Sequence, residues 1–297
     1  MAEAEKLNIY VLNWNQADLT IDCINSLLTQ RIPVDAEIFI IDNGSEDDSL
    51  EIFDKTFSDI EVLENPKNLG FQGGMNKGIR HALEKKVDYV MLLNNDTFAG
   101  ESMFETLFAK FPSDAVLVSP GIYYYKDPDL LCSLGGNINP LFLEVLGKPN
   151  TFYTPPETVK KFDFLPSHAW LIKTEIFSDV GVFDEDYFPI YYDDLDFCLR
   201  LKRQGFSIYL IPQAKIYHRI SLSMGGRNSP SERYIMARNG GYYFRKNMKI
   251  FQIPFVLSYR FGSSILWTFR LILQKNFDAL KNYWRGIIDG WFKPLPN

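Results

Sequence analysis

Two acidic clusters in this sequence are placed to do chemistry. Asn94-Asn95-Asp96 closes the short apolar run Tyr89–Leu93, and Tyr191-Tyr192-Asp193-Asp194-Leu195-Asp196 opens a segment with helical spacing. Asp96 is an oxygen ligand of the kind Mg²⁺ or Mn²⁺ prefers, and a divalent ion there can neutralise a departing diphosphate. Asp196 lies four residues before Arg200 and can pair with it on a helix face. That leaves Asp193 and Asp194 spare, so either is a candidate general base. The same acids would also simply suit the positive end of a helix dipole. His218 follows a strand-like run, and it joins a metal site only if the fold brings it beside Asp96.

Two further clusters suit a nucleotide. Asp42-Asn43-Gly44-Ser45 follows an apolar run, and a carboxylate there can accept the ring N–H of uracil or thymine. Asn68-Leu69-Gly70-Phe71-Gln72-Gly73-Gly74-Met75-Asn76-Lys77-Gly78 enters a helix through glycines, which permit close backbone approach at a terminus that favours phosphate. It has neither the G-x-G-x-x-G order of a dinucleotide fingerprint nor the spacing of a P-loop.

The elements that must hold these clusters alternate. Leu7–Trp14, Glu37–Ile41, Glu61–Leu63, Tyr89–Leu93 and Ala115–Ser119 read as strands. Helical segments intervene: Ala17, Ile21, Ile24 and Leu28 at helical spacing, then Leu50–Phe57 opened by a Ser45/Asp48 capping box, Gly70–Lys86 and Ser102–Phe111. This rhythm predicts an α/β fold with a mostly parallel sheet covered on both faces, whose ligands gather at the carboxyl ends of its strands. The polar clusters fall at that edge. The stretch from Ile122 to about Phe162 reads as irregular with short strands. Phe164–Ile172 reads as a strand, Thr174–Val180 as a short helix closed by Gly181, and Asp193–Gln204 as a helix. Phe206–Ile211 and Ala214–His218 read as two strands. Ser221–Ser231, with Arg227, reads as a mobile loop, and the remainder as helical. Domain boundaries are expected at 1–220, catalytic, and 221–297, loop plus helical extension. In the extension Phe277, Leu280, Trp284, Ile287 and Trp291 recur three and four apart, which suits packing on the main domain or lying on a membrane surface.

Bulk properties narrow the partners. A net charge of -6 and a pI near 5.2 argue against a nucleic-acid partner, which needs a basic face. Three scattered cysteines make a thiolate zinc site improbable and fit a reducing compartment. The N-terminal residues lack a basic region followed by an apolar run, and the apolar stretch Ile250–Leu273 is interrupted by Arg260 and Arg270. A cytoplasmic chain is expected, at most peripheral to the inner face of the membrane.

In order along the chain, YVLNWN, IIDNGSEDDS, NPKNLGFQGGMNKGI, MLLNNDT, VGVFDEDYFPIYYDDLDFCLRLKRQG and YHRIS resemble the family 2 glycosyltransferases, in particular the bacterial rhamnosyltransferase and galactofuranosyltransferase-like branch. The resemblance covers residues 6 to 245. It implies a GT-A fold and transfer of a sugar, rhamnose foremost, from a dTDP- or UDP-sugar to a glycan hydroxyl, with inversion and with Mg²⁺ or Mn²⁺. The acceptor can be lipid-linked and serve cell-surface polysaccharide synthesis. By position, Asp42 with Asn43 matches the contact to the donor base, and Asn68, Gly70 and Asn76 match the donor loop. Asn95 and Asp96 match the end of the D-x-D motif, with Asp96 on the metal and His218 completing the site. Asp194 matches the catalytic base, and Asp193 and Trp170 fall where the acceptor is contacted. Asn94 stands where many relatives have Asp, which leaves fewer carboxylates for the ion. A catalytically inactive nucleotide-sugar-binding module, an NAD-dependent oxidoreductase and a nucleotidyltransferase are the rival readings. The first is disfavoured by the presence of both Asp96 and Asp194, the second by the missing fingerprint, and the third by the absence of Lys or Arg in Asn13–Asp18.

Overall fold

The computed structural model describes residues 4–146, 155–219 and 228–294. The first half runs β1 (Lys6–Asn13), α1 (Ala17–Leu28), β2 (Asp35–Asp42), α2 (Ser49–Thr56), β3 (Glu61–Glu64), α3 (Gly70–Lys85), β4 (Tyr89–Asn94), β5 (Thr97–Ala99), α4 (Met103–Ala109) and β6 (Ala115–Tyr124). Then follow β7 (Leu131–Ser133), β8 (Lys160–Phe162), β9 (Ala169–Lys173), α5 (Phe177–Val180), α6 (Asp193–Arg203) and β10 (Ser207–His218). Three helices close the chain: α7 (Pro230–Asn247), α8 (Ile253–Leu273) and α9 (Phe277–Phe292).

The strands form one sheet in the order β3-β2-β1-β4-β9-β6-β10-β5, with β7 and β8 paired at its side. β3, β2, β1 and β4 are parallel. β9 runs antiparallel between β4 and β6, and β10 is again parallel to β6. The carboxyl ends of β1, β2, β4 and β10 therefore share one edge. Side chains alternate along each strand, so both faces need cover. Ile9, Val11 and Ile40 pack under Cys23, Ile24 and Leu27 of α1 and Phe53 of α2. Tyr10, Phe39 and Ile41 pack on Met75, Ile79 and Ala82 of α3.

Several expectations change. The two strands expected at 206–218 are one strand, β10, with a register shift between Ile211 and Lys215. The capping box does not form. Ser45 turns back to Asp42, Oγ to Oδ1 at 2.6 Å, and Asp48 stands at the N-cap of α2 without a side-chain bond. The strand expected at Phe164–Ile172 begins only at Ala169. Most of the expected mobile loop, with Arg227, lies outside the described residues. Its described end caps α7, where Ser229 Oγ accepts from the Glu232 N–H and Pro230 takes the first turn.

The apolar stripe expected on the last helix packs only in part: Leu280 and Ile287 lie half-buried against the protein and Trp291 stacks on Phe244, while its other two members do not pack. The fully buried side of α9 is its small-residue face, with Gly286 and Gly290 against α7 and Ala279 and Tyr283 between α7 and α8, and Phe277 and Trp284 are exposed. A Cβ at Gly290 would collide with the Arg238 backbone of α7, so the two helices approach at a distance only glycine allows. Gly290→Val is expected to destabilise the protein by about 1–3 kcal/mol through this overpacking, read as a lower urea midpoint with an unchanged slope.

Candidate active site

The polar clusters meet over the carboxyl edge of the sheet. β4 ends at Asn94, and the chain turns through Asn95 and Asp96 into β5. β5 pairs with β10 in the register Thr97 to His218, and the Arg219 N–H donates to the Asp96 carbonyl at 2.8 Å. That pairing sets His218 Nε2 3.2 Å from Asp96 Oδ2. Beside them, Asn43 Nδ2 donates to the Gly70 carbonyl at 2.9 Å and to Asn68 Oδ1 at 3.2 Å. Asn43 Oδ1 accepts from Leu69 N–H and Asn65 Nδ2. One asparagine thus ties the end of β2 to the entry of α3. Gly70 there has φ +73°, and a side chain would strike the Pro189 carbonyl.

Two adjoining cavities cross this edge. One, of ≈ 280 Å³, is lined by Asn43, Asn68, Gly70, Asn95, Asp96 and the exposed Trp14. The other, of ≈ 370 Å³, is lined by Asp193, Asp194, His168, Tyr192, Glu144 and Met236. Phe71, Asn94 and Ile190 line both, so the two form one cleft. Its second wall is held under strain. Tyr191 and Tyr192 have φ of +79° and +69°, unusual for residues with side chains. Asn239 of α7 fixes them: its Nδ2 donates to the carbonyls of Tyr187, Ile190 and Tyr191 at 2.7, 2.8 and 3.2 Å. Asp196 turns away from the cleft into a bond from Arg200 Nε at 3.0 Å. Asp193 and Asp194 then begin α6 facing the second cavity.

The model of glycosyl transferase family 2 matches residues 9–181, more than half of the chain. The chain belongs to glycosyl transferase family 2. It is 26% identical over 283 residues to the dTDP-rhamnosyl transferase RfbF of Shigella flexneri, with 90% of each chain covered. Among solved structures, GalNAc-T7 with UDP, GalNAc and Mn²⁺ superposes at a TM-score of 0.63 and 15% identity, over 82% of this chain and 50% of that one. The mannosyltransferase PcManGT from Pyrobaculum calidifontis, in complex with GDP-Man and Mn²⁺, gives 0.57 at 14% identity, over 96% and 74%. At such identities the two structures establish the fold, which is GT-A, and the family makes the chain a glycosyltransferase.

Two side chains at this edge of the sheet are of types that can ligate a divalent ion. Asp96 and His218 supply a carboxylate and an imidazole, each side chain only 10% exposed. Among the described residues no group of three or more His, Cys, Asp or Glu could hold a metal. An ion placed here would complete its shell with diphosphate oxygens and water, which is how Mg²⁺ and Mn²⁺ usually bind nucleotides. The mixed oxygen and nitrogen pair suits Mn²⁺ better than Mg²⁺.

Burial sets the charge state of the second cavity. It pushes Asp194 up to about 6, against bonds from the Leu195 and Ser167 backbone that favour the anion. Asp193 is raised as well, by burial and then by the neighbouring Asp194 charge. Burial is also the main cause that raises Glu144, whose Oε1 accepts from the Tyr192 hydroxyl at 2.8 Å.

Some residues singled out in the sequence lie elsewhere. Trp170 is 0% exposed, stacked on Phe183 in the core, so its ring reaches no acceptor. Asn76 is buried and braces the 183–185 loop: it donates to the Phe183 carbonyl and Glu185 Oε1 and accepts from the Phe183 N–H. Asp42 stands behind the first cavity, bonded to Asn13 and Ser45. Two cleft residues were not foreseen. Trp14 ends a strand in the sequence pattern, and its place between Asn13 and Asn15 is the signal that sets it apart. His168 packs its ring 4.6 Å from that of His218, and burial holds it neutral, down to about 3. Nothing around His168 in the sequence distinguishes it.

Proposed function

We propose that this enzyme transfers rhamnose from dTDP-rhamnose, or a related sugar from a dTDP- or UDP-donor, to a hydroxyl of a lipid-linked glycan, with inversion. The supporting observation is the single cleft, which has Asp96, Asn43 and Asn68 at one end, with His218 held against Asp96, and Asp194 at the other. The extent of similarity to RfbF favours a dTDP-sugar. Cell-surface polysaccharide synthesis at the inner face of the membrane is the setting this chemistry suits. In this reading residues 1–220 carry the chemistry and residues 221–297 form the helical extension.

Asn43, Asn68, Gly70 and Asn95 hold the nucleotide end of the donor, with Trp14 as a face for its base. Asp42 positions Asn13 and Ser45 rather than meeting the base directly. Asp96 and His218 would hold Mn²⁺ or Mg²⁺, whose charge stabilises a departing diphosphate. Asp194 accepts the acceptor's hydroxyl proton while the acceptor oxygen bonds to the anomeric carbon. The bond from that carbon to the diphosphate oxygen breaks on the opposite face, and the nucleoside diphosphate leaves with the electron pair. Asp194 is a weaker base than an alkoxide, so proton transfer accompanies attack. Asp193, one residue earlier on the same wall, orients the acceptor.

The direct test offers dTDP-rhamnose, UDP-galactose and UDP-glucose with rhamnan and galactan oligosaccharides and Mn²⁺. Transfer from dTDP-rhamnose with opposite anomeric configuration in the product supports the proposal. Transfer only from another donor, or with retention, overturns the corresponding part of it.

A further inference from the structure

The cleft occupies one side of the molecule, and α8 carries a second feature that the transfer reaction does not use. Among the described residues, 14 of the 21 exposed large hydrophobics lie between Ile250 and Phe292. On α8 they share a side. At about 100° per residue, Phe255, Phe261, Ile265, Leu266, Phe269 and Leu273 fall within one half of the circumference. Phe261 and Leu266 are each 71% exposed and Phe269 is 61% exposed. The opposite side, with Val256, Ser264 and Leu271, is buried against the protein. Scattered apolar residues need no explanation, but a contiguous face of this kind does.

Charge tells which partner fits. From Lys249 to the end the chain has seven Lys or Arg against two Asp, a net +5, in a protein whose total is -6. Lys275, Lys281 and Arg285 are exposed beside the apolar face. In a two-fold dimer through this face the cations of one copy would meet the same cations of the other, whereas an anionic lipid surface engages both the apolar face and the cations. No helix among the described residues is long and apolar enough to cross a membrane, so the helix can lie on it rather than through it.

We propose that the exposed face of α8, with Lys275 of the α8–α9 turn and the exposed cations of α9, docks the enzyme on an anionic lipid surface. This deepens the reading above, and it rests on that reading only for the role of docking. The acceptor end of the cleft is tied to the same helix. Phe142 packs its ring 5.5 Å from Tyr259 of α8, and Gln252 donates to the Pro140 carbonyl at 2.6 Å. Two residues beyond Phe142, Glu144 lines the cavity of Asp194. Docking through α8 therefore holds the acceptor cavity close to the lipid, where a lipid-linked glycan would be presented.

The test is sedimentation of the full chain with phosphatidylcholine vesicles, with and without about one third phosphatidylglycerol, alongside light scattering without lipid. Binding is expected to be at least about tenfold stronger with the anionic lipid. Phe261→Glu with Phe269→Glu should abolish it. Lys275→Glu with Lys281→Glu should weaken it about fivefold per residue and remove the preference for phosphatidylglycerol. All four positions are exposed, so folding should survive, and nucleotide-induced thermal stabilisation of each variant checks both folding and the donor site. Absence of vesicle binding, or binding unchanged by the phenylalanine pair, overturns the proposal. So does a dimer that the phenylalanine pair dissociates without vesicle binding. Loss of nucleotide stabilisation in the unaltered chain, with vesicle binding intact, would instead count against the transferase assignment of the cleft and leave the docking surface standing.

Discussion

Asp194→Asn is expected to lower kcat by about 10²–10⁴-fold while leaving the donor KM within a few-fold, the pattern of a lost general base. The substitution keeps the shape and keeps an acceptor oxygen for the Leu195 N–H, now made by Asp194 Oδ1 at 2.8 Å. What it removes is the capacity to take a proton. In the unaltered enzyme kcat/KM should rise with pH through about 6, where Asp194 loses its proton, and the variant should show no such limb. Stability should move the other way. Burial raises the folded pKa above the ordinary value of ~3.9, so between about pH 4 and 6 the folded state holds a proton that the unfolded chain has released. The unaltered protein therefore loses stability as pH rises through that window, and the deficit is complete above it. At pH 7.5 the asparagine variant should be more stable by up to about 3 kcal/mol, with the difference vanishing below about pH 4. A variant that is both less active and less stable at pH 7.5 would point to a structural role. If Asp193→Asn gives the large kcat loss instead, the base is its neighbour.

The sequence revealed most of the fold wherever local pattern and tertiary role agree. β1, β4 and the second half of β2 are buried on both faces, so their apolar runs are conspicuous, and the polar residues that follow them mark the sheet edge. The resemblance ordered those clusters into a cleft, and Asn43, Asn68, Gly70, Asn95, Asp96, Asp193 and Asp194 do line it. What was not legible depends on distant pairing. β5 is three residues long, too short for any period, yet its register with β10 brings His218 to Asp96. Asn76 has polar partners more than a hundred residues away, and only the fold distinguishes a loop brace from a donor contact. Trp170 lies on a strand inserted between two others, where burial on both faces outweighs any acceptor role. In α9 the spacing announced an amphipathic helix but not its orientation. Gly286 and Gly290 allow closer approach than the larger apolar residues, so the small-residue face packs and part of the stripe is left outside.

Mn²⁺ and a nucleoside diphosphate are expected to bind this enzyme together and only weakly apart. The reason lies in the donor count. Asp96 and His218 offer two ligands, Asn94 adds no carboxylate, and the described residues contain no third acidic, histidine or cysteine ligand in reach. An ion with two protein ligands gains most of its remaining shell from diphosphate oxygens, and the diphosphate gains most of its charge compensation from the ion. Such coupling is reciprocal, so each ligand should raise the affinity for the other by the same factor. In thermal unfolding, dTDP with Mn²⁺ at ~100 times the joint dissociation constant should add ~2.7 kcal/mol, and either alone at the same concentration should add far less. Asp96→Ala should remove the metal-dependent part and reduce kcat by several orders of magnitude. His218→Ala should weaken Mn²⁺ more than Mg²⁺, because imidazole is the softer donor. Nucleotide stabilisation of equal size with and without chelator would overturn the shared site. The diphosphate charge would then have to be met by the backbone N–H groups at the entry of α3, beside Gly70, and Asp96 and His218 would be a structural pair joining β5 to β10.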